Sequence, residues 1–187
     1  MALLNITKFM KKLQLLAVLL LLPGCAMVVH DGGKSTFYEG KARMVMPPFV
    51  NATDNEHAGQ ALTQLTGSTL LEYQIPLYQT EEILGKTADE SAPKQEARDL
   101  KIAQDSKANY LLVGTVHEYR YKSDLTANPA VGITLRLVSV VDGRTVWQGT
   151  SSKVGRASSS LTATAQNAVR DLVSKIPLKT TSQPLRN

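Results

Sequence analysis

The sequence predicts an α+β domain built as one mixed β-sheet with helices packed on it. Three observations carry this reading. Stretches of helical and of strand periodicity alternate between residues 41 and 177, bounded by Pro, Gly and Asn/Asp/Ser punctuation. Helices separated by single strands in the first half demand crossovers, whereas three consecutive strands in the second half form a meander, so both pairing senses are needed. A chain of 187 residues that is 43% hydrophobic and 20% charged has the composition of an ordinary globular domain.

The elements follow in order. Residues 42–49 (ARMVMPPF) begin as a strand and stop at Pro47-Pro48, which cannot continue a central strand. Residues 51–56 (NATDNE) offer caps, and Ala58, Ala61, Leu62, Leu65 and Thr69 then recur at helical spacing as far as Leu71. Residues 73–78 read as a short strand, and Thr80-Glu81-Glu82 opens a short helix ending near Gly85. After a polar loop, residues 94–107 form a charged helix expected to bury Ala97, Leu100 and Ala103. Residues 109–121 (NYLLVGTVHEYRY) and 130–141 (AVGITLRLVSVV) are strands, with Val131, Ile133, Leu135, Leu137 and Val141 on one face of the second. Asp142-Gly143 is a two-residue hairpin signal, returning the chain over residues 144–151. The last helix starts at Ser158-Ser159-Ser160, buries Leu161, Ala165, Ala168, Val169, Leu172 and Ile176, and stops before Pro177. The expected order is β-α-β-α-α-β-β-β-α. Residues 178–187 read as a disordered tail.

The first 24 residues have a different logic. Lys8, Lys11 and Lys12 precede the apolar run LQLLAVLLLL at residues 13–22, which is too short to span a bilayer and has the length of a secretion-signal core. Leu22-Pro23-Gly24-Cys25 follows at once and resembles the lipobox of bacterial lipoproteins, with Pro23 in place of the usual Ala, Ser or Thr. Cleavage before Cys25 would remove three cations, leaving 18 Lys+Arg against 16 Asp+Glu, so the chain's +5 falls to +2. That weak and scattered charge argues against nucleic acid. Cys25 is the one cysteine, so no intrachain disulfide can form. Its expected modification is a covalent diacylglycerol with an added N-acyl chain, three hydrocarbon chains at about 0.8 kcal/mol per buried CH₂. With Ala26 and no Asp after the cysteine, lipoprotein sorting implies the periplasmic leaflet of the outer membrane. Residues 25–40 are then the lipidated cysteine and a short tether. Its fifteen residues after Cys25 reach about 50 Å when fully extended and about 20 Å as a coil.

Motifs for chemistry are sparse. Gly33-Lys34-Ser35 and Gly85-Lys86-Thr87 imitate the end of a phosphate loop, but Val28 and Thr80 stand where its first glycine is required. Asp54, Glu56 and His57 are close enough in sequence to crowd a metal, but capping by Asp54 and dipole complementation by Glu56 explain them better, and no metal site is expected. His117 and Glu118 are adjacent on a strand and should point to opposite faces. The serines near residues 151 and 158 lack a nucleophile elbow. The expectation is a binding protein with no catalytic residue and no further cofactor. Tyr119 and Tyr121 flank Arg120 in a stripe suited to lipid headgroups, to sugar rings or to a half-exposed strand end, and Trp147 suits either a membrane interface or the core.

The segments MPPFVNATDNEHAGQALTQLTGSTLL, ANYLLVGTVHEYRY and PAVGITLRLVSVVDGRTVWQGTSSKVGR resemble the family that includes CsgG, LpoB and the TolB N-terminal domain. Within it, the EYRYK and PAVGITLRLV runs are most similar to the PelC-like outer-membrane lipoproteins of Pel exopolysaccharide export. The resemblance implies a ring-shaped homo-oligomer on the outer membrane, in biofilm matrix formation, that gathers a cationic amino-sugar polymer for a porin such as PelB. It also implies a membrane-facing aromatic belt, for which Trp147, Tyr119 and Tyr121 are candidates, and an acidic polymer guide, for which Asp124, Asp89 and Glu90 are loop candidates. A CsgG-like pore would need extra membrane-spanning strands of about 9–11 residues, which are not to spare. An LpoB-like activator of a penicillin-binding protein, the alternative, would need a long Pro-rich linker where this tether has no proline.

Overall fold

The computed structural model describes residues 43–75, 77–78, 92–123 and 127–178. The expected signal, Cys25, the tether, the short helix near residues 80–85, Asp89, Glu90 and Asp124 lie outside the described residues, as does the tail beyond residue 178.

Pro47-Pro48 divides the first strand into β1 (Met44–Val45) and β2 (Val50–Asn51), and both halves pair parallel with the same neighbour, β3 (Tyr110–Tyr121). The interruption leaves backbone groups without ladder partners, and helices supply them. Thr63 Oγ1 accepts the Phe49 N–H at 2.9 Å and donates to the Gly59 carbonyl at 2.7 Å, while Gln95 Nε2 donates to the Pro48 carbonyl at 3.2 Å. Thr63 belongs to α1 (Ala58–Glu72) and Gln95 to α2 (Ala92–Asp105).

Beyond β3 the sheet continues antiparallel through β4 (Pro129–Ser139) and β5 (Thr145–Val154), and α3 (Leu161–Val173) ends the described fold. The sheet order is β1-β3-β4-β5, with β2 beside β1 on the same edge of β3. The expected mixed sheet with packed helices is therefore the observed architecture. The Tyr73–Tyr78 strand is not: α1 runs on to Glu72, Gln74 turns the chain at φ +58°, and among the described residues of this segment Leu77 alone forms a bridge, to Met44. The hairpin is also longer than two residues. The Gly143 N–H reaches the Ser139 carbonyl at 2.8 Å with Gly143 at φ +67°, because a register shift after Leu137 places Val138 opposite Thr145.

Helices α1 and α3 cover one face of the sheet. Their Leu62, Leu70, Ala165, Ala168, Val169 and Leu172 meet Tyr110, Leu112, Val116, Ile133, Leu135, Leu137 and Trp147 in the main core. Ser160 Oγ accepts the Ala163 N–H at 3.0 Å and so caps α3 where the sequence places its start. Two strand glycines admit large rings: a Cβ on Gly114 would lie 2.6 Å from the Phe49 ring, and one on Gly149 would lie 2.9 Å from both Trp147 and Leu172.

Helix α2 lies on the opposite face, where Ile102, Ala103 and Ala108 form a smaller cluster with Val45, Leu111, Val138 and Val140. Its buried stripe is Gln95, Asp99, Ile102 and Ala103, whereas Ala97 is exposed and Leu100 half-buried. The expected phase is rotated because the helix turns polar side chains toward the broken strand, where the Pro48 carbonyl needs a donor.

Candidate functional site

The helices share a direction that gives the molecule two unlike ends. Glu72 and Arg170 form a two-oxygen pair at 3.1 Å, joining the C-terminal ends of α1 and α3. The same end holds Arg43, whose N–H donates to Asn109 Oδ1 at 2.9 Å, and the β4–β5 turn, tied on through the bond from Val140 N–H to the Asn109 carbonyl. At the other end, β3, β4, β5 and the start of α3 form a groove of about 880 Å³ with the 52–55 loop.

A β-bulge shapes this groove. The β3–β4 ladder pairs Val116 with Ile133 and Glu118 with Gly132, so His117 is the extra residue. His117 and Glu118 therefore both line the groove, contrary to the expected alternation. The physical reason is that one unpaired residue cancels the two-residue period. The shift is legible only against the partner strand.

The groove's polar groups are held in place. His117 Nε2 lies 2.9 Å from Thr134 Oγ1, which lies 2.9 Å from Thr150 Oγ1, linking three strands across one row that also contains Thr115. Arg120 Nε donates to Glu118 Oε1 at 3.0 Å. The opposite wall is an Asx-type loop. Asn51 Oδ1 accepts from Thr53 N–H at 3.1 Å and from its hydroxyl at 2.8 Å, and Asn51 Nδ2 donates to the Asn55 carbonyl at 2.7 Å. This loop answers the capping expectation differently from the sequence. Asn55 Oδ1, not Asp54, accepts the His57 N–H at 3.1 Å, and Asp54 lines the groove. Among the described residues no three His, Cys, Asp or Glu side chains are grouped to hold a metal.

Tyr121 stands at the rim, 51% exposed, its hydroxyl accepting the Leu161 N–H at 3.2 Å where α3 begins. Tyr119 is half-buried against the main core, and Arg120 projects from the other face, so the expected aromatic–cation stripe is divided between two sides of the strand. Trp147 corrects the membrane-facing expectation: it is 2% exposed, on the inward side of β5 beneath α3. Alternation along β5 assigns 147, 149 and 151 to the core, and a ring enclosed there cannot reach a membrane. A smaller cavity beside α2 is lined by Pro47, Gln95, Asp99 and Thr115 and bordered by the ion pair of Arg136 with Glu96. Taken together, the larger groove presents hydroxyl, carboxylate, imidazole and guanidinium groups with an aromatic rim, a set suited to a hydroxylated ligand.

The chain matches no family model and none of the curated proteins. Solved structures do match. PelC from Paraburkholderia phytofirmans, described as a dodecamer, superposes with a TM-score of 0.62 at 24% identity, covering 80% of this chain and 96% of that one. The chain has the PelC fold. A PelC variant from the same organism, also a dodecamer, gives 0.64 at 23% identity. Lipoprotein GNA1162 from Neisseria meningitidis gives 0.56 at 20% identity over 72% of this chain and 97% of its own. The match therefore spans nearly the whole of the solved PelC chain.

The residues that sequence reasoning missed are at the end away from the groove. Leu71, Tyr73, Tyr78 and Val141 are all exposed there, and reading residues 73–78 as a strand and Val141 as core concealed them.

Proposed function

We propose that this protein is an outer-membrane lipoprotein, anchored through Cys25, whose copies assemble into a ring on the periplasmic leaflet and pass an exopolysaccharide to a porin. The observation that carries the reading is the near-complete coverage of PelC, a dodecamer in its solved form, by a chain that opens with a signal-like segment and a lipobox-like cysteine. A head-to-tail interface that closes makes such a ring. The groove beside His117, Glu118 and Arg120 offers the hydrogen-bonding surface a sugar chain requires. The short tether keeps the domain near the membrane and favours this reading over an activator that must reach the inner membrane.

Deleting the gene should abolish polysaccharide secretion while the polymer still accumulates inside the cell, and a Cys25→Ser variant should fail to restore secretion. Mass spectrometry of the mature chain should find acyl chains on Cys25, and sedimentation of the detergent-solubilised lipoprotein should find one large oligomer. A strict monomer in detergent, or full secretion with the serine variant, overturns the proposal.

A further inference from the structure

Beside the break that Pro47-Pro48 makes in the first strand lies the smaller cavity, of about 90 Å³, between that strand, α2 and the open face of the sheet. Its chemistry is set by Gln95, which is 4% exposed and lines it. The Pro48 carbonyl can only accept, so the Gln95 atom 3.2 Å from it is the amide nitrogen. That bond fixes the orientation of the amide and leaves Oε1 as the atom still to be satisfied. Oε1 is buried, and no donor among the described residues reaches it. A buried acceptor without a donor is costly, so the fold has a reason to take one in.

The rest of the wall has the same bias. Asp99, one turn further along α2, is 5% exposed, and a carboxylate offers about four acceptor positions. Glu96 also lines the cavity and is paired there with Arg136. The lining thus holds two acids and one base, and that base is already committed. Arg98 approaches one Asp99 oxygen to 3.6 Å without being part of the lining. Thr115 and Thr134 add hydroxyls, the second engaged by His117 and Thr150.

We infer that this cavity binds a primary ammonium group, which donates to Gln95 Oε1 and to the Asp99 carboxylate. Such a group has three N–H donors and no acceptor, the complement of this wall, and its bonds to a carboxylate are charge-assisted. A metal ion suits the wall less. Among the described residues no three His, Cys, Asp or Glu side chains gather, and a calcium ion takes about 6–8 oxygens. Size agrees with the ammonium. A water needs about 10–15 Å³, so a cavity of about 90 Å³ admits the cation with a short carbon stem. The site owes nothing to the proposed anchor or ring, since every group it uses belongs to one copy of the domain.

The test uses the full chain in detergent, with methylammonium chloride as the probe. Magnetisation transferred from the protein to the probe's methyl protons reports binding, even in a large particle. Ammonium chloride should compete the probe away, whereas tetramethylammonium, of equal charge but without N–H groups, should not. Gln95→Met keeps the side-chain length and removes the acceptor, and Asp99→Asn keeps the shape and removes the charge. Each should weaken binding about tenfold, as for one lost charge-assisted hydrogen bond, in protein whose circular dichroism matches wild type. If Gln95→Met does not fold, Asp99→Asn and the tetramethylammonium comparison decide. No transfer in wild type means that water alone serves Gln95, which overturns the inference. Equal competition by tetramethylammonium reduces the effect to unspecific charge attraction and also overturns it. Wild-type affinity in the folded variants places the amine elsewhere, with the same consequence.

Discussion

The two faces of the sheet are built on different principles. Under α1 and α3, strand residues alternate cleanly inward, and Trp147, Leu135, Ile133 and Val116 sit in a closed apolar layer. Under α2 the layer is short, and toward its far end the same strands present His117, Thr134 and Thr150, joined by side-chain hydrogen bonds, and Arg120 bonded to Glu118. One face therefore holds the domain together and tolerates little change. The other, bearing the groove, contributes less to stability and is free to serve binding.

Substitutions sharpen this contrast, beginning with the largest effect. Trp147→Ala should cost about 3–5 kcal/mol by chemical denaturation, since it empties a site that neighbouring Gly149 cannot fill. A loss below about 1 kcal/mol would mean the indole is not in the core. Thr63→Val should cost about 1–3 kcal/mol, because the buried Phe49 N–H loses its acceptor at the proline break. Ser160→Ala removes the α3 cap and should cost about 1 kcal/mol, measured in the same way. The same threonine-to-valine change on the open face, Thr134→Val, should stay within about 0.5 kcal/mol. A loss matching that of Thr63→Val would show this face to be covered in solution.

The smallest effect belongs to the exposed β4–β5 turn. A hydrogen bond with Ser139, then the Arg144 backbone N–H and guanidinium, hold the Asp142 carboxyl below its ordinary value. A group with a lowered folded-state pKa stabilises above its unfolded pKa and loses that contribution as pH falls through the folded one. Wild type should therefore exceed Asp142→Asn slightly at neutral pH and converge with it in acid. A gap that persisted at low pH would place its origin in the turn's backbone instead.

Particular residues show where sequence reading succeeded. Helix α3 was legible in its start at Ser160 and its buried face, although it ends at Val173 rather than just before Pro177. Strands β3, β4 and β5 were legible as three consecutive strands, the last two joined at the Asp142-Gly143 turn. Helix α2 was placed correctly but turned wrongly, since apolar periodicity cannot announce that Gln95 must face inward to satisfy Pro48. The groove was the least visible. No residue type marks the bulge at His117, and the loop carrying Thr53 and Asp54 comes beside it only through the parallel pairing of β2 with β3.

Periodicity, capping and proline punctuation, all local along the chain, were enough to set the element types and the helix packing of the sheet, while the expectation of an acylated N-terminus came from the resemblance of residues 22–25 to a lipobox. Which side chains share a surface depended on strand register and helix rotation. Those follow from hydrogen bonds between residues far apart in the chain, as when Thr63 serves Phe49 and Gly132 stands opposite Glu118. That non-local pairing placed Trp147 inside and brought His117 and Glu118 to one groove.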